Sequence, residues 1–561
     1  MSMVLTATTI TIRAFGNITH PDCNTNAAIL NTNRVYLVCT SLVVNAGGHI
    51  NVFAQGYPVY MGPGAGTTAI GSGGGHGGKG GDTGNGNPDI GGPAYDSASA
   101  PNMPGSGGGA NNGGAGGGVI RIDAGTLTVD GTINADGGFG PAANYCGGGA
   151  GGSVYITCGT FGGSSSGLVS AVGGRGRNGA LGYGGAGGGG RIAVTYTNIA
   201  ANTTVRFNAA GGWGSCPHTA EVGTVYFPDT GLLGENMNCV LSGNIVIPNW
   251  VSWNIGNLAV TNGLVILGDG GFALNVSTDL TVRGGNARLY VGRWMSPAYT
   301  NTVWVGRNLL IDSGALTLGT TGQETRTTMT VGNALTITNG GGLHVYSGLT
   351  NAACDYGGLV TVTGTTTIAP NSWIYPSCHP TNGGAVLFRF GVLNIDTNGG
   401  FNADSTNRAF LTGFYRYICR GFDAQTGPGK GASAQGSGGG HGGTGGVTTA
   451  TAGGVTNDVA IAPQLPGSGG GRYATPRFDI GGSGGGVVRI EASAMNLNGI
   501  ITANGANTIA GYWGGAGAGG SIYLCTDNFS GNNNGILRAD GGNGNVGSGG
   551  KMPGSGGGGR I

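Results

Sequence analysis

Charge is scarce in this sequence: 24 basic and 23 acidic side chains in 561 residues leave a net charge of +1. The lysines, Lys79, Lys430 and Lys551, stand apart in glycine-rich text. Without a basic run there is nothing to neutralise a row of phosphates, so a nucleic-acid partner is not expected. No stretch of about 18 apolar residues occurs, which leaves no membrane span. The opening, MSMVLTATTITIRAFG, lacks the charged and apolar regions of a secretion signal. Helical spacing of apolar residues is missing as well, and almost no α-helix is predicted. No CxxC pair is present, so neither a zinc site nor a redox motif is read from the cysteines, and no cofactor is expected.

Glycine is abundant instead. The chain holds 130 glycines and 20 prolines, a combined share that in an aperiodic sequence marks disorder. Against disorder stands a 39% hydrophobic fraction with 8% charged residues, the reverse of a solvated coil. The ten cysteines are Cys23, Cys39, Cys146, Cys158, Cys216, Cys239, Cys354, Cys378, Cys419 and Cys525. Their even count without metal spacing predicts disulfides and an oxidising, extracellular setting. Connectivity stays open, and buried free thiols are the alternative.

Internal repetition organises the chain. GGGVIRIDAGTLTVDGTINADG from 116 recurs as GGGVVRIEASAMNLNGIITANG from 484, GGSVYIT around Ser153 as GGSIYLCT around Ser521, and GGGGRI ending at Ile192 as GGGGRI ending at Ile561. Apolar positions stay in phase, with Ile120 and Ile122 matching Val488 and Ile490. A linker would have no reason to preserve that alternation. Residues 235–410 read as short period-2 strands, among them LAVTNGLVIL (258–267), VWV (303–305), LTI (335–337) and LHV (343–345), punctuated by turns such as Asn262-Gly263 and Asn339-Gly340 that suit positive φ. Regular short strands without a linker favour an all-β, right-handed parallel β-solenoid over a sandwich or propeller. The expected divisions are N-terminal rungs (1–70), a first glycine-rich module (71–197), a connector (198–234), a solenoid core (235–410) and a second module (411–561).

GSGGGHGGKGGD (71–82) and GSGGGHGGTGG (436–446) place His76, Lys79 and Asp82, then His441, Thr444 and Val447, at every third position. Three residues per turn is the period of a polyproline-II-like helix, which makes no internal hydrogen bonds. Its amides must find partners sideways, because a buried unpaired one costs roughly 1–3 kcal/mol. Glycine is then needed for close approach: paired glycines pack, and every third residue projects. Denser runs such as GAGGGG (185–190) suit interior places. Collagen is excluded by the broken period and the few prolines.

These phrases, GSGGGHGGKGG, GGGVIRIDAGTLTVDGTINADGG, GGGAGGSVYIT and GGGGRIAV, resemble the glycine-rich repeats of very large secreted or surface proteins that combine right-handed β-helix rungs with glycine excursions. They are similar, less closely, to polyglycine-II bundles of phage tail-fibre adhesins. The resemblance covers about 70–200 and 430–561 and implies an extracellular fibrous or adhesive role with no catalytic residues.

Catalytic signatures are weak. Gly481-Gly482-Ser483-Gly484-Gly485 spells G-x-S-x-G, but in a chain this rich in glycine the match arises by chance. The acids fall singly at turns, so a β-helix polysaccharide-active enzyme ranks below a structural role, as does ice binding through TGTTTI (363–368). His76 and His441 each stand alone, and no metal site is read from them. Sequons occur at Asn17, Asn202, Asn275 and Asn528. The favoured reading is an extracellular structural protein that joins head to tail. The segment carrying Val4, Leu5, Thr8, Ile10 and Ile12 would add as a strand to the Arg560–Ile561 end of a neighbour. A surface adhesin binding glycans is the alternative.

Overall fold

The computed structural model describes residues 4–23, 33–67, 71–83, 90–110, 112–140, 146–179, 182–213, 220–268, 271–292, 300–351, 354–409, 415–418, 420–432, 436–448, 451–472, 481–508, 514–544 and 552–561. Among them there is no helix, so none is long and apolar enough to cross a membrane. Strands pair in parallel, apart from the two short antiparallel pairs Asn178–Gly179 with Gly182–Tyr183 and Thr406–Ala409 with Tyr415–Ile418. The chain divides into two compact units, the first mainly Met1–Trp250 and the second mainly Gly268–Ala409 with Tyr415–Ile561.

In the first unit the strands Val4–Ile12, Val35–Val44, Val119–Val129, Ser153–Gly162 and Arg191–Ile199 stack in parallel in chain order. The register aligns like with like: Leu37 faces Ile122, Ile122 faces Ile156, and Ile156 faces Val194. A second ladder of three-residue strands runs His49–Asn51, Thr132–Asn134, Leu168–Ser170 and Arg206–Asn208, with Ile50, Ile133, Val169 and Phe207 in one fully buried column. Alternation drives this arrangement, because every second side chain enters the core and a one-residue slip would expose the whole set.

The second unit repeats the design. Leu274, Val303, Met329, Val360, Phe388 and Ile490 form one buried column, and Leu289, Leu316, Leu343, Ile374, Phe401 and Ile501 another. The strands read from sequence at 303–305, 335–337 and 343–345 lie on ladder strands, and the stretch 258–267 divides into Leu258–Val260 and Leu264–Leu267 on two different ladders. Asn339 and Gly340 adopt φ of 54° and 80° as expected, but they carry the chain from one ladder to another and make no hairpin.

The glycine-rich stretches are insertions between paired ladder strands. Val35–Val44 pairs directly with Val119–Val129, and Val386–Ile395 with Val487–Leu497, although long glycine-rich sequence separates each pair. These stretches carry no ladder strand, yet many of their amides are paired with carbonyls of neighbouring segments. The Gly73 N–H donates to Gly81 O at 2.9 Å, Gly81 to Ala186 O at 2.7 Å, Gly74 to Gly148 O at 2.9 Å and Gly188 to Gly74 O at 2.8 Å. The second copy repeats the pattern: Gly438 donates to Gly446 O at 3.0 Å, Gly446 to Ser555 O at 2.6 Å and Gly439 to Ala516 O at 2.9 Å. Close approach explains the residue type. A Cβ on Gly73 would lie 1.7 Å from Ala186 O, one on Gly187 2.0 Å from Gly149 O, and one on Gly438 1.8 Å from Ser555 O.

The disulfide expectation is corrected by this geometry. The described cysteines, Cys23, Cys39, Cys146, Cys158, Cys239, Cys354, Cys378 and Cys525, are free thiols; Cys216 and Cys419 lie outside the described residues. Cys39 and Cys158 share a column, but Ala124 stands between them. Two strand spacings of about 4.8 Å exceed the roughly 7 Å that a disulfide spans between Cα atoms. Burial raises the Cys23 thiol to about 11 and those of Cys158 and Cys378 to about 12, keeping them protonated. The buried ones among them, Cys23, Cys39, Cys146, Cys158 and Cys378, therefore behave as small core residues, whereas Cys525 is exposed.

Candidate functional site

Two features of the fold bear on function: a polar cluster that recurs in both glycine-rich modules, and the open edges of the ladders. The cluster is built where each glycine insertion meets the strands. His76 does not project from its triplet as expected; it is fully buried, whereas Lys79 and Asp82 do reach outward and pair at 2.9 Å. A solvent-facing histidine would leave nearby glycine carbonyls without donors. Buried, its Nδ1 donates to Gly151 O at 2.9 Å, and its ring packs on Tyr95 at 4.7 Å. Nε2 lies 3.4 Å from Asp96 Oδ2.

Asp96 sits at φ 69° and acts as a backbone cap. Its Oδ2 accepts the Asn102 and Met103 N–H groups at 2.9 Å, and Oδ1 accepts that of Ser97 at 2.8 Å. Burial acts to raise this carboxyl, but hydrogen bonds from His76, Met103 and Ser97 outweigh it and hold the group below its ordinary value. Ser153 Oγ donates to Met103 O at 2.6 Å, and Arg191 Nε donates to Tyr95 O at 2.7 Å. Thus the 95–103 loop is fastened to the first residue of each of two neighbouring strands.

The second module rebuilds the same device. Asp458, at φ 70°, accepts the Val459, Gln464 and Leu465 N–H groups at 2.8 Å. Ser521 Oγ donates to Leu465 O at 2.7 Å, and Arg560 Nε donates to Asn457 O at 3.0 Å. His441, again fully buried, contacts Asn457 Oδ1 through Nδ1 and Ser521 Oγ through Nε2, each at 2.9 Å. Burial lowers the pKa of both histidines, opposed by the contacts with Asp96 in the first module and with Asn457 and Asp458 in the second.

Serine, histidine and aspartate side by side invite comparison with a nucleophilic triad, and the geometry rejects it. Asp458 Oδ2, 3.8 Å away, and Ser521 Oγ face the same ring nitrogen, Nε2, whereas a triad needs the acid on the opposite nitrogen. The serine proton is committed to a carbonyl, and neither Ser153 nor Ser521 is exposed to a substrate. Ser483 of the G-x-S-x-G match is likewise buried among glycine segments, and no helix follows it. Among the described residues no group of three His, Cys, Asp or Glu side chains could hold a metal ion.

The second feature is the ladder edges. Val4–Ile12 pairs with Val35–Val44 on one side, and Ser521–Gly531 pairs along its length only with Val487–Leu497, apart from one bridge from Ser521 to Arg560. No other strand among the described residues pairs with either outer edge. Val4 and Leu5 are 48% and 49% exposed, Thr8 is exposed and Ile10 half-buried, whereas Ile12 is a core residue at 5%. On the Ser521–Gly531 strand Phe529 is 58% exposed, and Ile561 is open to solvent, while Arg560 is engaged in the cluster. The sequons Asn17, Asn202 and Asn528 are exposed, and Asn275 is half-buried, donating to Asn254 Oδ1 at 2.7 Å.

Fold and site define an all-β protein of parallel ladders with duplicated glycine insertions. No family model, curated protein or solved structure matches the chain. Sequence reasoning missed the capping role of Asp96 and Asp458 and the buried place of the histidines. The signal was present, because His76, Asp96, Ser153 and Arg191 all recur, as His441, Asp458, Ser521 and Arg560.

Proposed function

We propose that the chain is an extracellular structural protein: a right-handed parallel β-solenoid flanked by polyglycine-II-like bundles, with copies joining head to tail by strand addition. The observation that carries this reading is the pair of long strands, Val4–Ile12 and Ser521–Gly531, whose outer edges lack strand partners among the described residues and lie beside exposed apolar side chains. Such an edge is a template for another chain. Two different edges meeting give a heterologous contact, which propagates instead of closing. The sideways amide pairing and the three-residue spacing of His76, Lys79 and Asp82 support the polyglycine-II description. Low charge gives little repulsion between copies. Negative-stain microscopy with light scattering tests assembly. Wild type forms filaments, and a Val4→Lys/Leu5→Lys variant, which puts charge on the exposed edge, stays as short particles with an unchanged melting temperature. A wild-type protein that remains particulate at high concentration overturns the reading.

A further inference from the structure

The second unit holds a cleft of about 620 Å³, inside the range of small-molecule sites. It opens on the outer face of a ladder where Thr317, His344 and Tyr375 follow one another across three strands. In the neighbouring column the order is Arg288, Ala315, Gly342, Trp373, so two small residues hollow out the space between two large ones. Gly342 differs from the lattice glycines. The nearest atoms a Cβ there would meet belong to the His344 and Tyr375 rings, at an ordinary 3.4 Å. The backbone does not require glycine at this position, but the hollow does.

The cleft gathers polar groups that the protein leaves unused. Among the described residues the Arg288 guanidinium, the His344 ring nitrogens and the Tyr375 hydroxyl have no hydrogen-bond partner, and Asn402 uses its carbonyl oxygen on the Asp404 N–H, leaving its amide NH₂ over. Three other arginines of the unit, by contrast, are paired, Arg283 with Asp312, Arg307 with Asp279 and Arg389 with Glu491. The His344 imidazole stacks on Tyr375 at 4.5 Å, and the Arg420 guanidinium lies 4.7 Å over the same ring. Burial, then the charges of Arg420 and Arg288, push His344 down to about 3, so its ring is neutral and offers one donor and one acceptor within a positive field. Asp404, also in the lining, accepts the Asn504 N–H through Oδ1.

Flat rings, neutral donors and acceptors, and a free guanidinium suit a ligand with hydroxyls, an apolar ring face and an anionic group. We propose that this cleft binds an acidic saccharide of two or three rings, its carboxylate held by Arg288 and its hydroxyls by His344, Tyr375 and Asn402. The site does not depend on head-to-tail assembly, since all of its residues come from one unit of one chain.

Titration calorimetry of the full chain with digalacturonate, lactose as a neutral disaccharide, and inorganic sulfate tests the proposal. Digalacturonate binds with a Kd of about 0.1–1 mM and lactose at least about tenfold more weakly. Arg288→Gln, at an exposed position, removes that tenfold preference and leaves the melting temperature unchanged. Gly342→Leu, which fills the hollow, abolishes binding of both sugars. Equal affinity for lactose and digalacturonate overturns the acidic preference, binding of sulfate as tight as that of digalacturonate overturns the saccharide, and no heat from either sugar at 10-fold the expected Kd overturns the site.

Discussion

Replacing Gly73 by alanine tests the claim that glycine serves contact in this protein. The new methyl would stand 1.7 Å from Ala186 O and 2.5 Å from its carbon, so the two segments must separate by more than an ångström. Three hydrogen bonds meet at this crossing: Gly73 to Gly81 O, Gly81 to Ala186 O and Gly92 to Gly73 O, at 2.7–2.9 Å. Each such bond contributes about 1 kcal/mol net, and a buried group left unpaired costs about 1–3 kcal/mol. The expected loss is therefore about 3–6 kcal/mol, large for a single substitution. In units of this size each kcal/mol moves the melting temperature by roughly 2–4 °C, giving a fall of roughly 6–24 °C by differential scanning calorimetry. Gly438→Ala, at the equivalent place with Ser555 O at 1.8 Å, should fall by a similar amount. Gly234, exposed with nothing within 4 Å of its imagined Cβ, is the control, and alanine there should be neutral or slightly stabilising. If all three variants melt together, the glycines serve flexibility and the contact argument is wrong.

Asp96→Ala strands three backbone N–H groups and should lower stability by about 3 kcal/mol, whereas Asp540→Ala, from an exposed pair with Arg538, should change it by less than about 1 kcal/mol; equal melting temperatures would contradict the capping role. Acid should destabilise the fold. His20, His76, His344, His379 and His441 all have lowered pKa values through burial, so the unfolded chain takes up protons near pH 6.5 before the folded one does. Stability is full above that pH and declines as it drops toward the His344 value of about 3; a melting temperature constant from pH 7 to 4 would oppose this. Alkylation mapped by mass spectrometry should mark exposed Cys525 in the native protein, with Cys158 and Cys378 modified only after denaturation, and a reducing agent should leave the melting temperature unmoved.

The ladders were legible because period-2 alternation is a local property. The residues of LTI and LHV alone give strands, and the structure sets each in a parallel ladder. The role of glycine was readable from its spacing together with the cost of unpaired amides. Cysteine pairing was not, because it depends on which strands become neighbours: Ala124 separates Cys39 from Cys158 only once the glycine insertion loops out. The buried histidines were missed for a related reason. A triplet GGH predicts which way a side chain leaves its own segment, not that the 95–103 loop closes over it. The cleft at Gly342 gives no sequence signal, since its hollow arises from Ala315 and Gly342 falling in one column of strands separated by long connections.

The amide lattice also bears on how the protein meets digestive enzymes. A protease grips its target by a side chain in a specificity pocket and by an extended backbone free to pair with the enzyme. The stretch Gly184–Gly190 offers neither: it has no side chain larger than the Ala186 methyl, and its amides already bond to carbonyls such as those of Gly174, Gly74 and Glu221. The segments that by composition resemble the softest parts of the chain are thereby the ones with least for a peptidase to hold.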